Sequence, residues 1–263
     1  MDRGEVLAAF DAQMRVGAAA EGPGARVERV GGVVRNVAAD PDGWSAVVWS
    51  DLDERTANAA IAEQVGYFGA LGQSFEWKHY AHDHPVDLPA RLIAAGLVPE
   101  PEEALMVAEV ATLDTDAVPP PGVRLVPITD PAGVALLVRV HEEVFGEDHA
   151  ALGRTMVAQL ATEPKAMASV LAMAGDRAVC SARVSFHHGT EFASLWGGGT
   201  LPEWRGRGIY RALVAYRARL AREHGFRYLQ VDALPPSRPI LERLGFVRLT
   251  TTTPYVWRPR EAA

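Results

Sequence analysis

The sequence predicts a mixed α/β protein in two related lobes, each a central sheet flanked by helices. Three observations carry that expectation: helical and strand periodicities alternate along the chain, a proline run interrupts it near the middle, and the two halves align at one fixed offset. In the first half the pattern gives a helix over 4–20, strands near 26–37 and 44–50, and a helix at 53–71. A strand at 75–80, a helix at 87–95 and a strand at 104–110 follow. The break is Asp114-Thr-Asp-Ala-Val-Pro-Pro-Pro-Gly122, whose three successive prolines favour an extended segment that neither helix nor sheet absorbs. The expected division is therefore an N-terminal lobe at 1–113, a linker at 114–122 and a C-terminal lobe at 123–263. Beyond the linker come a strand at 123–128, helices at 131–145 and 151–161, and strands near 168–174, 177–186 and 191–199. A helix over 203–224, a strand at 226–232, a helix at 237–244 and a last strand or pair reaching Trp257 complete the chain.

An ungapped offset of 149 residues places Leu52 on Leu201, Glu54 on Glu203, Tyr67 on Tyr216, Asp83 on Asp232, Leu92 on Leu241 and Gly96 on Gly245. The register holds across several elements, which chance rarely achieves. It fails at one place: Arg205, Gly206 and Gly208 face Thr56, Ala57 and Ala59. Only the C-terminal lobe has a phosphate-ready loop.

Composition narrows the function classes. Of 263 residues 48% are hydrophobic and 22% charged, enough apolar surface to offset ordering entropy, so the chain is globular rather than disordered. No apolar run reaches the roughly 18 residues of a membrane span, and Met1-Asp2-Arg3-Gly4-Glu5 lacks the order of a secretory signal. A cytoplasmic protein with no membrane partner is expected. One cysteine, Cys180, allows no internal disulfide, and its place in the alternation Ala178, Cys180, Ala182, Val184 makes it a packing residue. The net charge of −7 argues against a nucleic-acid partner. His79, His82 and His84 lack a fourth ligand type nearby, so no metal is expected.

The segment that carries chemistry is Leu195-Trp-Gly-Gly-Gly-Thr-Leu-Pro-Glu-Trp-Arg-Gly-Arg-Gly-Ile-Tyr-Arg-Ala-Leu213. It joins an apolar strand to a helix with the buried stripe Ile209, Leu213, Tyr216 and Leu220. A helix N-terminus has unpaired N–H groups and partial positive charge; glycines at 206 and 208 let an anion approach them, and Arg205 and Arg207 add full charge. Neither the G-x-x-x-x-G-K-[ST] phosphate loop nor the G-x-G-x-x-G dinucleotide fingerprint is present. Gly197 to Gly199 suggest a strand end where a ligand comes close to the backbone.

Arg205-Gly-Arg-Gly208-Ile-Tyr210 resembles motif A of the GNAT superfamily of acyl-CoA-dependent N-acetyltransferases, Q/R-x-x-G-x-G/A, with Tyr210 in place of the final small residue. Pro239-Ile-Leu-Glu-Arg-Leu-Gly-Phe246 is similar to the superfamily's later helix ending in Gly-Phe, and the resemblance covers most of 123–257. The whole chain looks like two-lobed members whose N-terminal lobe is a degenerate copy. The resemblance implies a GNAT-like acyl-CoA N-acyltransferase fold, with acetyl-CoA as cosubstrate and a primary amine of a small molecule or peptide as acceptor. It implies cofactor contacts from Thr200, Leu201, Arg205, Gly206, Arg207, Gly208, Ile209 and Tyr210, and an acceptor entering near Trp196 and Asp232. Where relatives have an acid tyrosine this chain has Leu241, and where they often have a glutamate base it has Ser194. Asp232 and Glu191 are the nearest ionisable substitutes for the base. The alternative is an acyl-CoA-binding sensor or scaffold without catalysis. Monomer and homodimer both remain open.

Overall fold

The structure is a computed structural model and describes residues 1–146 and 148–259. The chain divides into two compact units. Met1–Leu105 folds with Asp232–Arg238 and with the residues from Arg248 onward; Met106–Val231 folds with Pro239–Val247. The proline-rich segment at 114–122 lies within the second unit, and two late segments join the N-terminal residues in the first.

The first unit opens with α1 (Arg3–Phe10), whose N-cap Asp2 accepts the N–H groups of Gly4 and Glu5 at 2.8 and 3.1 Å. A π-helical turn at Asp11–Val16 continues it, so the helix expected over 4–20 is shorter and changes pitch. The single strand expected over 26–37 is a hairpin of β1 (Arg26–Val30) and β2 (Val33–Val37), turned by Gly31 at φ 57°. Next come β3 (Ala46–Ser50), α2 (Ala57–Leu71), β4 (Phe75–Tyr80), α3 (Leu88–Ala94), the short β5 (Val98–Pro99) and β6 (Glu103–Glu109). The last strand, β12 (Val247–Trp257), pairs antiparallel with β4 and β5, while β3 and β4 run parallel. Phe68, Phe75, Trp77, Leu88 and Leu92 fill the core beneath α2 and α3. Each such side chain contributes about 1.5–3 kcal/mol on leaving water.

The second unit starts with β7 (Val123–Pro127) and α4 (Pro131–Phe145), capped by Asp130, which accepts from Gly133 N–H at 2.8 Å. Then follow α5 (Ala150–Thr162), β8 (Met167–Ala174), β9 (Arg177–Phe186), β10 (Phe192–Thr200), α6 (Ile209–Glu223), β11 (Tyr228–Ala233) and α7 (Arg238–Arg243). Strands β7 to β10 form antiparallel neighbours, and β10 and β11 pair in parallel. Helices α4 and α5 cover one face through Val134, Leu137, Val140 and Met156; α6 covers the other through Ile209 and Leu213. A cavity of about 260 Å³ lies where Ala117 to Pro119 of the proline-rich segment meet Ala212, Tyr216 and Arg219 of α6.

Helix α6 begins six residues later than the expected start at 203. Pro202–Trp204 is a 3₁₀ turn, and Gly206 and Gly208 sit at φ 74° and 83°, which a right-handed helix does not use. The repeat register is also imperfect: Asp83 lies in the loop after β4, whereas its counterpart Asp232 lies inside β11.

Candidate functional site

Helix α6 has Gly208 at its N-cap, and no side-chain oxygen bonds the first-turn amides. Ile209, Tyr210 and Arg211 stand at the helix start, where the N–H groups have no intrahelical acceptor. A β-carbon built on Gly206 or Gly208 would meet nothing within 4 Å, so both glycines border open space. Beside that space Arg207 is exposed, its guanidinium 4.7 Å from the Trp204 ring centre; Arg205 is exposed and donates Nε–H to the Thr200 carbonyl at 3.0 Å. This is positive charge beside uncapped amides, suited to an anion with several oxygens.

The other expected contacts divide. The Ile209 side chain is buried, so the residue offers only its amide. Tyr210 turns its ring inward, against the position a Gly198 β-carbon would take, at 2.8 Å. Leu201 is buried, gives its N–H to Val179 at 3.0 Å and accepts from Trp204 at 2.9 Å, so both of its main-chain groups are engaged within the protein. The Thr200 hydroxyl lies 3.0 Å from Cys180 Sγ. Cys180 is fully buried, and burial pushes its thiol up to about 11, as suits a packing residue.

The strand leading to this turn is irregular. Pairing of β10 with β11 runs from Phe192↔Tyr228 to Ser194↔Gln230 and ends there. Against β9 the register shifts between Trp196 and Gly199, a bulge with Gly197 at φ 56°. The glycines are thus inside β10 rather than at its end, and the protein's own rings crowd them. A β-carbon on Gly197 would come within 2.6 Å of the His141 ring, and one on Gly199 within 3.3 Å of Phe145. His141 Nε2 sits 3.2 Å from the Gly197 carbonyl; burial first, then Arg183 and His149, push its pKa down to about 4. The imidazole is neutral at pH 7, so Nε2–H donates and props the bulge.

Of the two proposed bases, Glu191 stands at the opposite end of β10 from this turn. Glu191 precedes β10, and nine residues of extended chain, about 30 Å, separate it from Thr200. Its carboxylate accepts from Arg227 at 3.1 Å and its carbonyl from the N–H groups of Arg227 and Tyr228. Asp232 belongs to the first unit, where Lys78 Nζ donates to its Oδ2 at 2.5 Å, leaving Oδ1 buried without a partner. Ser194 is fully buried between His187 at 2.7 Å and Gln230 at 2.5 Å, and burial pushes His187 down to about 4. Leu241 is likewise buried.

Sequence reasoning missed His141, Arg183 and Arg217. Arg217 is buried, donating to the Leu213 and Arg183 carbonyls at 3.0 and 3.1 Å. The available signal was Val179, Ser181, Arg183 and Ser185 on β9: a charge on a strand whose neighbours are small or apolar. Among the histidines, His82 is 2.8 Å from Asp11, and no group of three or more potential metal ligands occurs among the described residues.

Residues 135–246 match the acetyltransferase (GNAT) family. No curated protein matches the chain in sequence. Among solved structures, a GCN5-related N-acetyltransferase from Kribbella flavida is 17% identical, with a TM-score of 0.71 over 97% of this chain and 95% of that one. A tandem GNAT protein from the clavulanic acid biosynthesis pathway is 15% identical, with a TM-score of 0.62 over 93% and 86%. A functionally unknown conserved protein from Staphylococcus epidermidis ATCC 12228 is 14% identical, with a TM-score of 0.64 over 93% and 97%. At these identities the likeness is one of fold, and that fold spans nearly the whole chain. The family's sequence pattern is thus matched over 135–246, within which the β10–α6 turn lies, and the likeness to two-lobed GNAT structures is one of fold.

Proposed function

We propose that the protein transfers an acetyl group from acetyl-CoA to a primary amine of a small molecule or peptide. The observation that carries this reading is the uncapped start of α6, where Gly206 and Gly208 border open space between two exposed arginines. The fit to a diphosphate is chemical: amides, a helix dipole and cationic side chains face one volume, and no β-carbon at 206 or 208 obstructs it. Acetyl-CoA supplies the activated acyl group as a thioester. Beyond Ser194 the edge of β10 that β11 has left offers main-chain donors to the carbonyl oxygen as it gains charge. The ammonium loses its proton to water, the free amine attacks the carbonyl carbon, the C–S bond breaks, and the proton that the new amide nitrogen sheds passes to the departing thiolate to give the free thiol.

In Gly208→Asp a carboxylate enters the anion's place, and aspartate tolerates positive φ better than most residues. Acetyl-CoA affinity by titration calorimetry falls at least tenfold, while the melting temperature falls only by the few degrees that positive φ at 208 costs. Ala59→Asp, at the matching position of the first half, leaves affinity unchanged. Retained affinity in Gly208→Asp refutes the assignment.

A second reading, an acyl-CoA-binding sensor, is favoured by the buried Leu241 and by Ser194, locked between His187 and Gln230. Thiol release from acetyl-CoA across a panel of amines separates the two, since a sensor binds the cosubstrate without acceptor-dependent turnover.

A further inference from the structure

Arg183 lies on β9 opposite Trp196, at the last register pair before the β10 bulge. Its Nε is buried without a hydrogen-bond partner and lies 3.5 Å from where a β-carbon on Gly197 would be. Among the described residues no acidic side chain pairs with its guanidinium; the neighbouring charge is Arg217, also positive. Burial first, and then Arg217, bring its pKa down to about 10. Buried arginines are ordinarily paired, because an uncompensated charge away from water is costly.

The surroundings repeat the pattern. Ser169 on β8 is the cross-strand partner of Arg183, and Ser181 is two residues before it on β9, so all three side chains share one sheet face. Both hydroxyls are buried with no partner, as is Nε2 of His149, whose ring packs 5.2 Å from that of His141. Four polar groups within one unit therefore lack a partner on the same side of the bulge. Strand β8 brings Ser169, β9 brings Ser181 and Arg183, and the turn before α5 brings His149. Every one of them can donate a hydrogen bond, and one carries a full positive charge. Such a set fits a planar anion that accepts two parallel bonds from a guanidinium and others from hydroxyls.

We propose that Arg183, with Ser169 and Ser181 beside it, anchors a carboxylate carried by the ligand that reaches the β10 bulge. Under the reading of acyl transfer from a CoA thioester to an amine, on which the ligand's identity rests, that carboxylate belongs to the acceptor amine or, where the acyl group is not acetyl, to a dicarboxylic acyl group. The class of substrate is then an amino acid-like amine or a succinyl-type thioester, rather than a plain alkylamine paired with an acetyl group.

The test uses the full-length protein, its Arg183→Met and Arg183→Lys variants, and ω-amino acids of three to six carbons, each compared with its own primary amide. Binding is read by titration calorimetry, independently of turnover. At least one acid binds the wild type tenfold more tightly than its amide, Arg183→Met brings the pair within twofold, and Arg183→Lys falls between. In turnover the same preference appears in KM rather than kcat. Pairing acetyl-CoA with the acids, and succinyl-CoA with plain amines, assigns the carboxylate to acceptor or donor. Carboxylate binding without turnover keeps the anchor and removes the transfer reading; turnover with no acid preference anywhere in the series overturns the anchor. Arg183→Met melts at or above the wild-type temperature, because it relieves an unpaired charge. A drop of more than about five degrees assigns Arg183 a structural role instead and overturns the proposal. So does a loss of acetyl-CoA affinity equal to that for the acids.

Discussion

Removing Asp83 leaves Arg15 buried with most of its compensation gone. Arg15 Nη2 donates to both Asp83 oxygens at 2.7 and 2.8 Å, its Nε donates to the Val48 carbonyl at 3.1 Å, and its guanidinium lies 4.0 Å from the Tyr80 ring centre. Asp11 at 2.9 Å is the remaining acid. Breaking such a pair from one side costs about 3–5 kcal/mol, and that loss is expected for Asp83→Ala in urea unfolding; a cost below about 1 kcal/mol contradicts it. The repeat register puts Asp83 on Asp232, and the structure gives both a cation within the first unit: Arg15 for one, Lys78 for the other. The acids were legible in the sequence, but their partners stand 68 and 154 positions away in the chain, a separation no local pattern encodes. The sequence names Asp232 as a candidate base but does not show the lysine, Lys78, that pairs with it. Glu191, the other candidate, precedes β10 and pairs with Arg227.

Two glycines on either side of the β10–α6 turn have similar backbone angles and unlike surroundings. Gly197 at φ 56° has the His141 ring where a β-carbon would go, and Gly206 at φ 74° has open space. A left-handed non-glycine residue costs about 1–2 kcal/mol, so Gly206→Ala loses about that much. Gly197→Ala adds the crowding of a buried ring and loses about 2–4 kcal/mol, together with the His141 bond that holds the bulge. Equal losses in denaturant titrations show that the bulge yields to the extra carbon. At this scale the sequence was most readable: nearly every helix and strand falls where periodicity puts it. Two of the exceptions follow glycine geometry, which composition reveals but direction of φ does not. Gly31 splits one expected strand into a hairpin, and Gly206 with Gly208 delays α6 to Ile209. The glycines at 197 to 199 signalled close approach correctly in kind, yet what comes close on their crowded sides is the protein itself.

Across the molecule, titrating groups of opposite sense are sorted between the two units. In the first, burial, reinforced by Asp232 and Glu76 and opposed by Lys78, raises Glu21 and Glu103 from 4.5 to about 7. A raised folded pKa means the folded state holds more protons, so this stability is full below pH 4.5 and is lost as pH rises through about 7. In the second, burial lowers His141 and His187 from 6.5 to about 4, so their contribution is full above pH 6.5 and is lost as pH falls toward 4. His79, lowered chiefly by burial, opposes the two glutamates in the first unit, while Asp11 and Glu28 are lowered and act at the acid end, below their ordinary values. Between pH 7.5 and 5.5 the first unit should therefore gain stability and the second should lose it. Amide hydrogen exchange, corrected for the intrinsic rate at each pH, reads the two separately through β2 and β3 in one unit and β8 and β9 in the other. Protection of β8 and β9 relative to β2 and β3 falls on acidification, and Glu21→Gln with Glu103→Gln removes the part that comes from the first unit. A parallel change in both pairs of strands would mean that the interleaved segments, 232–238 and 239–247, make the units open as one, and that the sorting of charges has no separate thermodynamic effect.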